Sequence, residues 1–136
     1  MSNVKNTLDL IRDEFSIFSD PRDKYVYLVD LAKEVKGLSL DQRTEQNRIP
    51  GCTSQAWVIK ESSGQNYIFK TDSDAMIVKG LLSLIERSFN GHTKKEILDV
   101  NGNEFLESIG LGTAISSQRT NGFSSAIDKI QKELLD

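Results

Sequence analysis

The stretch that decides the fold is AWVIKESSGQNYIFKTDSDAMIVKGLLSLIERSF, residues 56–89. It contains two runs rich in β-branched and aromatic residues, 56–60 and 66–72, on either side of the turn-forming sequence ESSGQ. Such runs around a Gly-containing turn predict two antiparallel strands. Directly afterwards, Ser73 or Asp74 can cap a helix whose apolar residues spread almost all round its axis. We therefore expect a hairpin followed by a central, buried helix.

Two helices are predicted before the hairpin. The N-terminal segment has apolar residues at helical spacing, namely Leu8, Ile11 and Phe15. Asp20 and Pro21 then have the pattern of a helix cap followed by proline at the first helical position. The apolar face of this second helix consists of Tyr25, Leu28, Val29, Ala32 and Val35. Gly37 is placed to end it in the left-handed conformation.

The chain after the central helix is also predicted to be helical. Asn90-Gly91 ends that helix, and Thr93 with Glu96 forms a capping box for a short one. A further short helical piece is indicated by Phe105, Leu106 and Ile109. A last helix, starting near Ser116 or Ser117, has an apolar stripe made of Phe123, Ala126, Ile127, Ile130 and Leu134. Together these elements predict one α+β domain over residues 1–136.

Composition excludes several classes of protein. The 136 residues include one Cys and one His, so a disulfide framework, a Cys-rich zinc site and the HExxH metal motif are ruled out. No apolar run approaches the roughly 20 residues of a membrane span. The net charge is −3 and neither half is basic, so we expect no nucleic-acid partner and no membrane association. The start MSNVKNTLDLIRDEF does not resemble a secretory signal, and a lone thiol suits the reducing cytosol, so a cytoplasmic location is expected.

The segment LSLDQRTEQNRIPGCTSQ, residues 38–55, is mostly polar and has no helical period. A coil of this length inside a compact domain is usually functional or disordered. It contains Cys52, which follows the turn sequence Pro50-Gly51. A lone Cys is more often a small buried hydrophobe. Here the polar flanks and the lack of an apolar period favour an accessible thiol, as a reactive cysteine requires.

The neighbours of Cys52 have candidate supporting roles. Gly51 suits a backbone position with positive φ or a close approach of a partner. Its N–H group and the hydroxyls of Thr53 and Ser54 could stabilise a thiolate, although plain turn polarity explains those two residues equally well. Arg48 is the nearest cation. Gln55 could hydrogen-bond the base of the loop or simply be solvated.

A cysteine hydrolase needs a base beside the thiol, and the only candidate is His92. We predict that His92 lies on the surface in a turn between helices, which disfavours a dyad with Cys52. A thiol without a base can still exchange sulfur with another sulfur atom, because that transfer needs neither an oxyanion hole nor a metal. We also expect Trp57, at the start of the first strand, to belong to the core.

Three blocks in order carry a family resemblance: NRIPGCTSQAWV at 47–58, TDSDAMIVKGLLSLI at 71–85 and SSQRTNGFSSAIDKI at 116–130. They resemble the SufE family of sulfur-acceptor proteins. The resemblance implies helices packed against one side of a small antiparallel sheet, similar to the IscU scaffold. It also implies that Cys52 accepts sulfur as a persulfide from a cysteine desulfurase of the SufS or CsdA kind, and passes it to an iron–sulfur cluster scaffold. Pyridoxal phosphate is then expected on the desulfurase, and this chain is expected to carry no cofactor.

The same resemblance implies a docking face for the desulfurase. We expect Arg48, Asp74 and Arg119 to be partner contacts. Asp74 could instead be a carboxylate that stabilises a helix N-terminus, and Arg119 could simply be solvated. The chain is expected to act as a sulfur carrier rather than as a stand-alone enzyme, and to be a monomer or a weak homodimer. The alternative is a binding module that only activates the desulfurase, with Cys52 incidental. A thiol hydrolase using His92 is a third, weaker hypothesis.

Overall fold

The structure is a computed structural model that describes residues 4–51, 54–112 and 115–135. Its helices are α1 (Val4–Phe15), α2 (Pro21–Glu34), α3 (Met76–Phe89), α4 (Lys94–Leu98), α5 (Phe105–Ser108) and α6 (Ser117–Leu135). A 3₁₀ turn covers Leu40–Gln42. Its strands are β1 (Ala56–Ser63), β2 (Asn66–Ser73) and β3 (His92–Thr93). None of the helices in these ranges is long and apolar enough to span a bilayer.

The sheet is antiparallel in the order β1-β2-β3. β1 and β2 pair along their full length, from Ala56 opposite Ser73 to Ser63 opposite Asn66, around a two-residue turn. This confirms the predicted hairpin, and each strand extends beyond its apolar run. β3 was not predicted, because two residues are too short to show a period.

One face of the sheet packs against the helices, as the family resemblance implied. Val58, Phe69 and Thr71 point to that side and are buried. The opposite face exposes Ile68 and Lys70 and carries no helix among the described elements. The observed fold is therefore α+β, with the helices on one side of a three-stranded sheet.

The core is built on α3, as predicted. Its inward side chains are all at most 2% exposed, namely Leu81, Leu82, Leu84, Ile85 and Phe89. α2 crosses α3 so closely at Gly80 that a Cβ there would overlap the Leu28 carbonyl oxygen. The predicted stripe of α6 is buried as well, at Phe123, Ala126, Ile127, Ile130 and Leu134.

Most helix ends follow the sequence. Asp20 caps α2 by accepting the Arg22 N–H at 2.9 Å, and Thr93 with Glu96 forms the expected capping box of α4. The predicted cap of α3 is wrong, because the N-cap residue is Ala75, without a side-chain cap. Of the two predicted residues, Asp74 bonds the chain that leads into β1, and the Ser73 hydroxyl bonds both that chain and the Ala75 N–H.

Gly37 also differs from expectation. α2 ends at Glu34 and is capped by Val35 in an extended conformation, so Gly37 does not terminate the helix. It does have the positive φ that was predicted, 74°. A contact with a distant residue explains why glycine stands here, because a Cβ at Gly37 would lie 2.5 Å from Oδ2 of Asp72.

Candidate functional site

The predicted reactive residue, Cys52, and its neighbour Thr53 lie outside the described residues, so their roles remain predictions. The structure does describe the chain on both sides, up to Gly51 and from Ser54 onwards. We call residues 50–55 the Cys52 loop. Its flanks show how the fold holds it.

The base of the Cys52 loop is closed by backbone pairing. The Ile49 N–H donates to the Ala56 carbonyl at 2.8 Å, and the Val58 N–H donates to the Asn47 carbonyl at 2.9 Å. Between these two bonds Arg48 forms an antiparallel bridge with Trp57. Residues 47–49 therefore run along the free edge of β1, and Ile49 is fully buried. The chain on both sides of the loop is therefore paired within the sheet.

Gly51 has the positive φ that the sequence predicted, at 80°. A Cβ at this position would lie 3.0 Å from Oγ of Ser125, so the backbone passes close to α6. Both the conformation and the close approach favour glycine. The first arm of the loop is thus held against the last helix.

The second arm is held by the end of β2. The Gln55 N–H donates to Oδ1 of Asp74 at 3.1 Å, and the Asp74 N–H donates back to the Gln55 carbonyl at 3.1 Å. The Ser73 hydroxyl donates to the same carbonyl at 2.7 Å. Gln55 therefore supports the loop through its backbone, while its side chain is exposed. Ser54, between this anchor and Thr53, is half-buried.

A buried carboxylate lies next to this anchor. Asp72 is 1% exposed, and its Oδ2 accepts the Leu38 N–H at 2.9 Å and Nη2 of Arg43 at 2.7 Å. Its Oδ1 accepts the Ser73 N–H at 2.8 Å. Burial acts to raise the pKa of Asp72, but these N–H donors and the Arg43 guanidinium outweigh it and hold that pKa below its ordinary value. No pattern in the sequence predicts this network, because Leu38 and Arg43 lie 34 and 29 positions from Asp72.

Arg48 lies on the side of the loop that faces α6. Its Nη1 is 3.5 Å from Oε1 of Glu45, so the cation already has a carboxylate partner. An open cleft of about 440 Å³ separates this segment from α6, and both signs of charge line it. Lys129 crosses the cleft and donates to the Gln46 carbonyl at 3.1 Å. Sequence reasoning missed this cleft, since the α6 residues that form it look like an ordinary solvated helix face.

The other two predicted partner contacts differ in their surroundings. Asp74 is exposed and directly bonded to the loop, as described above. Arg119 is exposed near the start of α6, with its guanidinium 5.8 Å from the ring centroid of Tyr25 and Nη1 3.4 Å from the Tyr25 hydroxyl. This cation–π contact within the chain accounts for a cation at an unfavourable helix end. No contact in the described part of the chain joins Arg119 to Gly51 or Gln55.

The prediction that His92 lies on the surface in a turn between helices is wrong. His92 is 7% exposed, lies in β3 opposite Tyr67, and its Nδ1 is 3.0 Å from Oε2 of Glu96. Tyr67 pairs with Ser62, which is six positions along β1 from Ala56. At about 3.4 Å per residue, this places His92 some 20 Å along the sheet from the base of the Cys52 loop. The sequence could not show this burial, because it depends on the short strand β3.

Comparison with known proteins gives a family match over most of the chain. A family model described as SufE, the Fe-S metabolism associated domain, matches residues 9–134. The chain belongs to the SufE family. The match runs from within α1 to within α6 and includes residues 50–55 and their anchors. It associates this SufE domain with iron–sulfur metabolism.

Two relatives extend the match at the level of sequence. An uncharacterised SufE-like protein of Rhizobium etli is 37% identical over 131 residues, covering 93% of this chain and 88% of its own. One from Rhizobium meliloti is 34% identical over 131 residues, covering 93% of this chain and 94% of its own. The resemblance seen in the sequence is therefore confirmed.

A solved structure shows the same fold. The solution structure of a hypothetical protein from Thermus thermophilus superposes with a TM-score of 0.76 at 19% identity, covering 99% of this chain and 96% of that one.

Within the described ranges, no group of three or more His, Cys, Asp or Glu side chains is placed to hold a metal ion.

Proposed function

We propose that this SufE domain is a sulfur carrier that accepts a sulfur atom on Cys52 from the persulfide of a cysteine desulfurase. The observation that carries the proposal is the position of the chain's only cysteine. In the sequence it stands between Gly51 and Ser54, and the described chain on either side is held by the Ile49–Ala56 bond and by the Gln55–Asp74 bonds. A loop on rigid supports presents one reactive group to a second protein without disturbing the core.

The transfer is a thiol–persulfide exchange. The Cys52 thiolate attacks the outer sulfur of the donor persulfide, a new sulfur–sulfur bond forms, and the old one breaks. The donor cysteine leaves as a thiolate, and Cys52 now bears the persulfide. No net oxidation occurs, so the step needs no further reagent.

The rate depends on how much of Cys52 is ionised. A thiol with an ordinary pKa of about 8.5 is only a few per cent thiolate at neutral pH, so modest stabilisation of the anion accelerates attack. The Gly51 N–H and the hydroxyls of Thr53 and Ser54 are the candidate donors. Arg48 contributes less, because its guanidinium is shared with Glu45.

The partners follow from the chemistry. The sulfur is released from free cysteine by pyridoxal phosphate on the desulfurase, so this chain needs no cofactor of its own. The accepted persulfide then passes to an iron–sulfur cluster scaffold. A reducing compartment such as the cytoplasm keeps the resting thiol available.

The desulfurase is proposed to dock on the surface around the loop. Asp74 supports this, because it is exposed and bonded directly to the second arm. Arg48 and the mixed-charge cleft beside it offer complementary charge on the side of the first arm. Arg119 takes part only if docking separates it from Tyr25.

The test is labelling with radioactive cysteine. The chain is incubated with a desulfurase and radiolabelled cysteine and run on a non-reducing gel. We expect label on the wild type and its loss in Cys52→Ser, together with loss of stimulation of the desulfurase. Ser62→Ala, at the far end of β1, is the matched control and should label normally.

Two outcomes would contradict the proposal. If Cys52→Ser stimulates the desulfurase fully, the domain is an activator and Cys52 is incidental. If mass spectrometry of the wild type shows no addition of one sulfur atom at Cys52, the carrier function is wrong. The hypothesis of a thiol hydrolase is disfavoured by the position of His92. Unchanged sulfur acceptance and desulfurase stimulation in His92→Ala would exclude a role for His92.

A further inference from the structure

Asp72 is an unusual residue for its place in the sheet. It pairs with Trp57 and points to the face that carries no helices, where Lys70 is exposed. A carboxylate on such a face would normally be solvated. Asp72 and Trp57 are nevertheless only 1% and 6% exposed, because the segment from Gly37 to Arg43 lies over them.

The carboxylate holds that segment at two points. Oδ2 accepts the Leu38 N–H at 2.9 Å and the Arg43 guanidinium at 2.7 Å. Gly37 fits against the same oxygen only because it has no Cβ. Lys79 of α3 lies 3.7 Å from the other oxygen, Oδ1. These donors offset the cost of burying the carboxylate, and the Leu38 and Ser73 N–H groups lose a partner if the carboxylate is removed.

Arg43 extends the contact to β1. Its guanidinium, held by Asp72, lies 5.3 Å from the ring centroid of Trp57. Trp57 in turn bridges Arg48, two residues before the Cys52 loop. The path from Asp72 to the first arm of the loop therefore consists entirely of observed contacts.

The second arm starts from the two residues that follow Asp72. The Ser73 hydroxyl and the Asp74 carboxylate both bond the backbone of Gln55. The Ser73 N–H is itself bonded to Oδ1 of Asp72. One carboxylate is thus linked to both arms of the loop.

We propose that Asp72 is a positioning residue that holds the described chain on both sides of Cys52, from Arg48 to Gly51 and from Ser54 to Gln55, and that acceptance of sulfur from the donor depends on this support. The part concerning the donor rests on the function proposed above. The part concerning the loop does not, because anchoring can be measured without any partner. Asp72 acts through Arg43, Leu38 and Ser73 and does not itself take part in the transfer.

The variants are chosen to remove the anchor without removing the cysteine. Asp72→Asn keeps the shape and loses the charge. Arg43→Gln removes only the guanidinium. Because Arg43 is partly exposed, we expect this variant to fold, and it tests the anchoring role if Asp72→Asn does not fold. Arg43→Lys keeps the charge and should restore part of what Arg43→Gln loses. Glu14→Gln is the control, since Glu14 forms a carboxylate–arginine pair with Arg87 that is more exposed and joins α1 to α3.

Two readouts report the anchor alone. Trypsin cleavage after Arg48, followed by mass spectrometry, measures opening of the segment before the loop. Fluorescence of Trp57, the only tryptophan, measures the loss of its cover. We expect cleavage about tenfold faster in Asp72→Asn and Arg43→Gln, because a charged hydrogen bond is lost in each. The fluorescence emission of both variants should shift to longer wavelength. Arg43→Lys should have a cleavage rate and an emission wavelength between those of Arg43→Gln and the wild type. Glu14→Gln should have the wild-type values of both.

The third readout is the initial rate of sulfur acceptance from a desulfurase, with complete alkylation of Cys52 showing that the thiol is intact. We expect the rate to fall about tenfold in both variants, as a misplaced reacting group loses effective concentration. Wild-type cleavage and emission in both variants would overturn the anchoring role. Changed anchoring with an unchanged sulfur rate would overturn the positioning role. A wild type that accepts no sulfur would instead contradict the proposed function, and cleavage and emission would still decide the anchoring.

Discussion

Gly51 shows how much one residue contributes to the placement of the Cys52 loop. Its φ of 80° is costly for any residue with a Cβ, and the nearby Ser125 hydroxyl leaves little room for one. The chain offers an internal comparison at Gly64, in the hairpin turn. Gly64 also has a positive φ, 64°, but no atom lies within 4 Å of where its Cβ would be.

We predict that Gly51→Ala lowers the free energy of unfolding by more than Gly64→Ala does. Both lose about 1–2 kcal/mol to the left-handed backbone conformation. Only Gly51→Ala adds the contact with Ser125, which pushes the loop away from α6. Urea unfolding measures the difference, and equal losses in the two variants would show that the contact with α6 carries no energy. Sulfur acceptance should fall in Gly51→Ala alone.

At the scale of the elements, side chains cover the outer edge of β2. Beyond the short β3, Asn90 takes the place of a neighbouring strand: its Oδ1 accepts the Phe69 N–H at 2.7 Å, and its Nδ2 donates to the Phe69 carbonyl at 3.3 Å. Two residues further along β2, the Thr71 hydroxyl donates to Glu86 of α3 at 2.5 Å. Burial raises the pKa of Glu86 despite this bond. Such side-chain cover protects an edge that would otherwise pair with another chain.

We predict that Asn90→Ala destabilises the domain by about 1–3 kcal/mol, because it leaves two backbone groups of Phe69 without partners. The opened edge should also promote self-association at high concentration. Urea unfolding and sedimentation velocity test the two effects. Asn66→Ala, whose exposed side chain lies at the other end of β2, should do neither. A monomeric, fully stable Asn90→Ala would show that the edge needs no cover.

For the whole molecule, the parts that sequence predicted are those with a local pattern. The hairpin, the buried α3 and the stripe of α6 follow from apolar periodicity, and the capping box of α4 follows from residues three apart. The positive φ of Gly51 follows from turn chemistry. What the sequence could not show depends on contacts between distant segments. Examples are the burial of His92 and the role of Gly37, which Asp72 explains across 35 positions.

The exposure of Cys52 at rest is a prediction at this scale as well. The polar sequence around Cys52 favours a thiol that a partner can reach, but a persulfide is easily lost to small thiols. We therefore expect the thiol to be sheltered at rest and to become accessible when the desulfurase docks. Alkylation with a bulky maleimide, timed by the mass of this chain, should then be faster with desulfurase than without. Cys52→Ser controls for labelling elsewhere. Equal rates would contradict a sheltered resting state.

The hairpin turn at Gly64 has a practical consequence for such measurements. It projects into open space, and it lies at the opposite end of β1 from the loop. An affinity tag or a dye introduced at this tip should therefore leave docking undisturbed. The domain could be immobilised at this turn for surface-based kinetics, with the Cys52 loop facing the bulk solution.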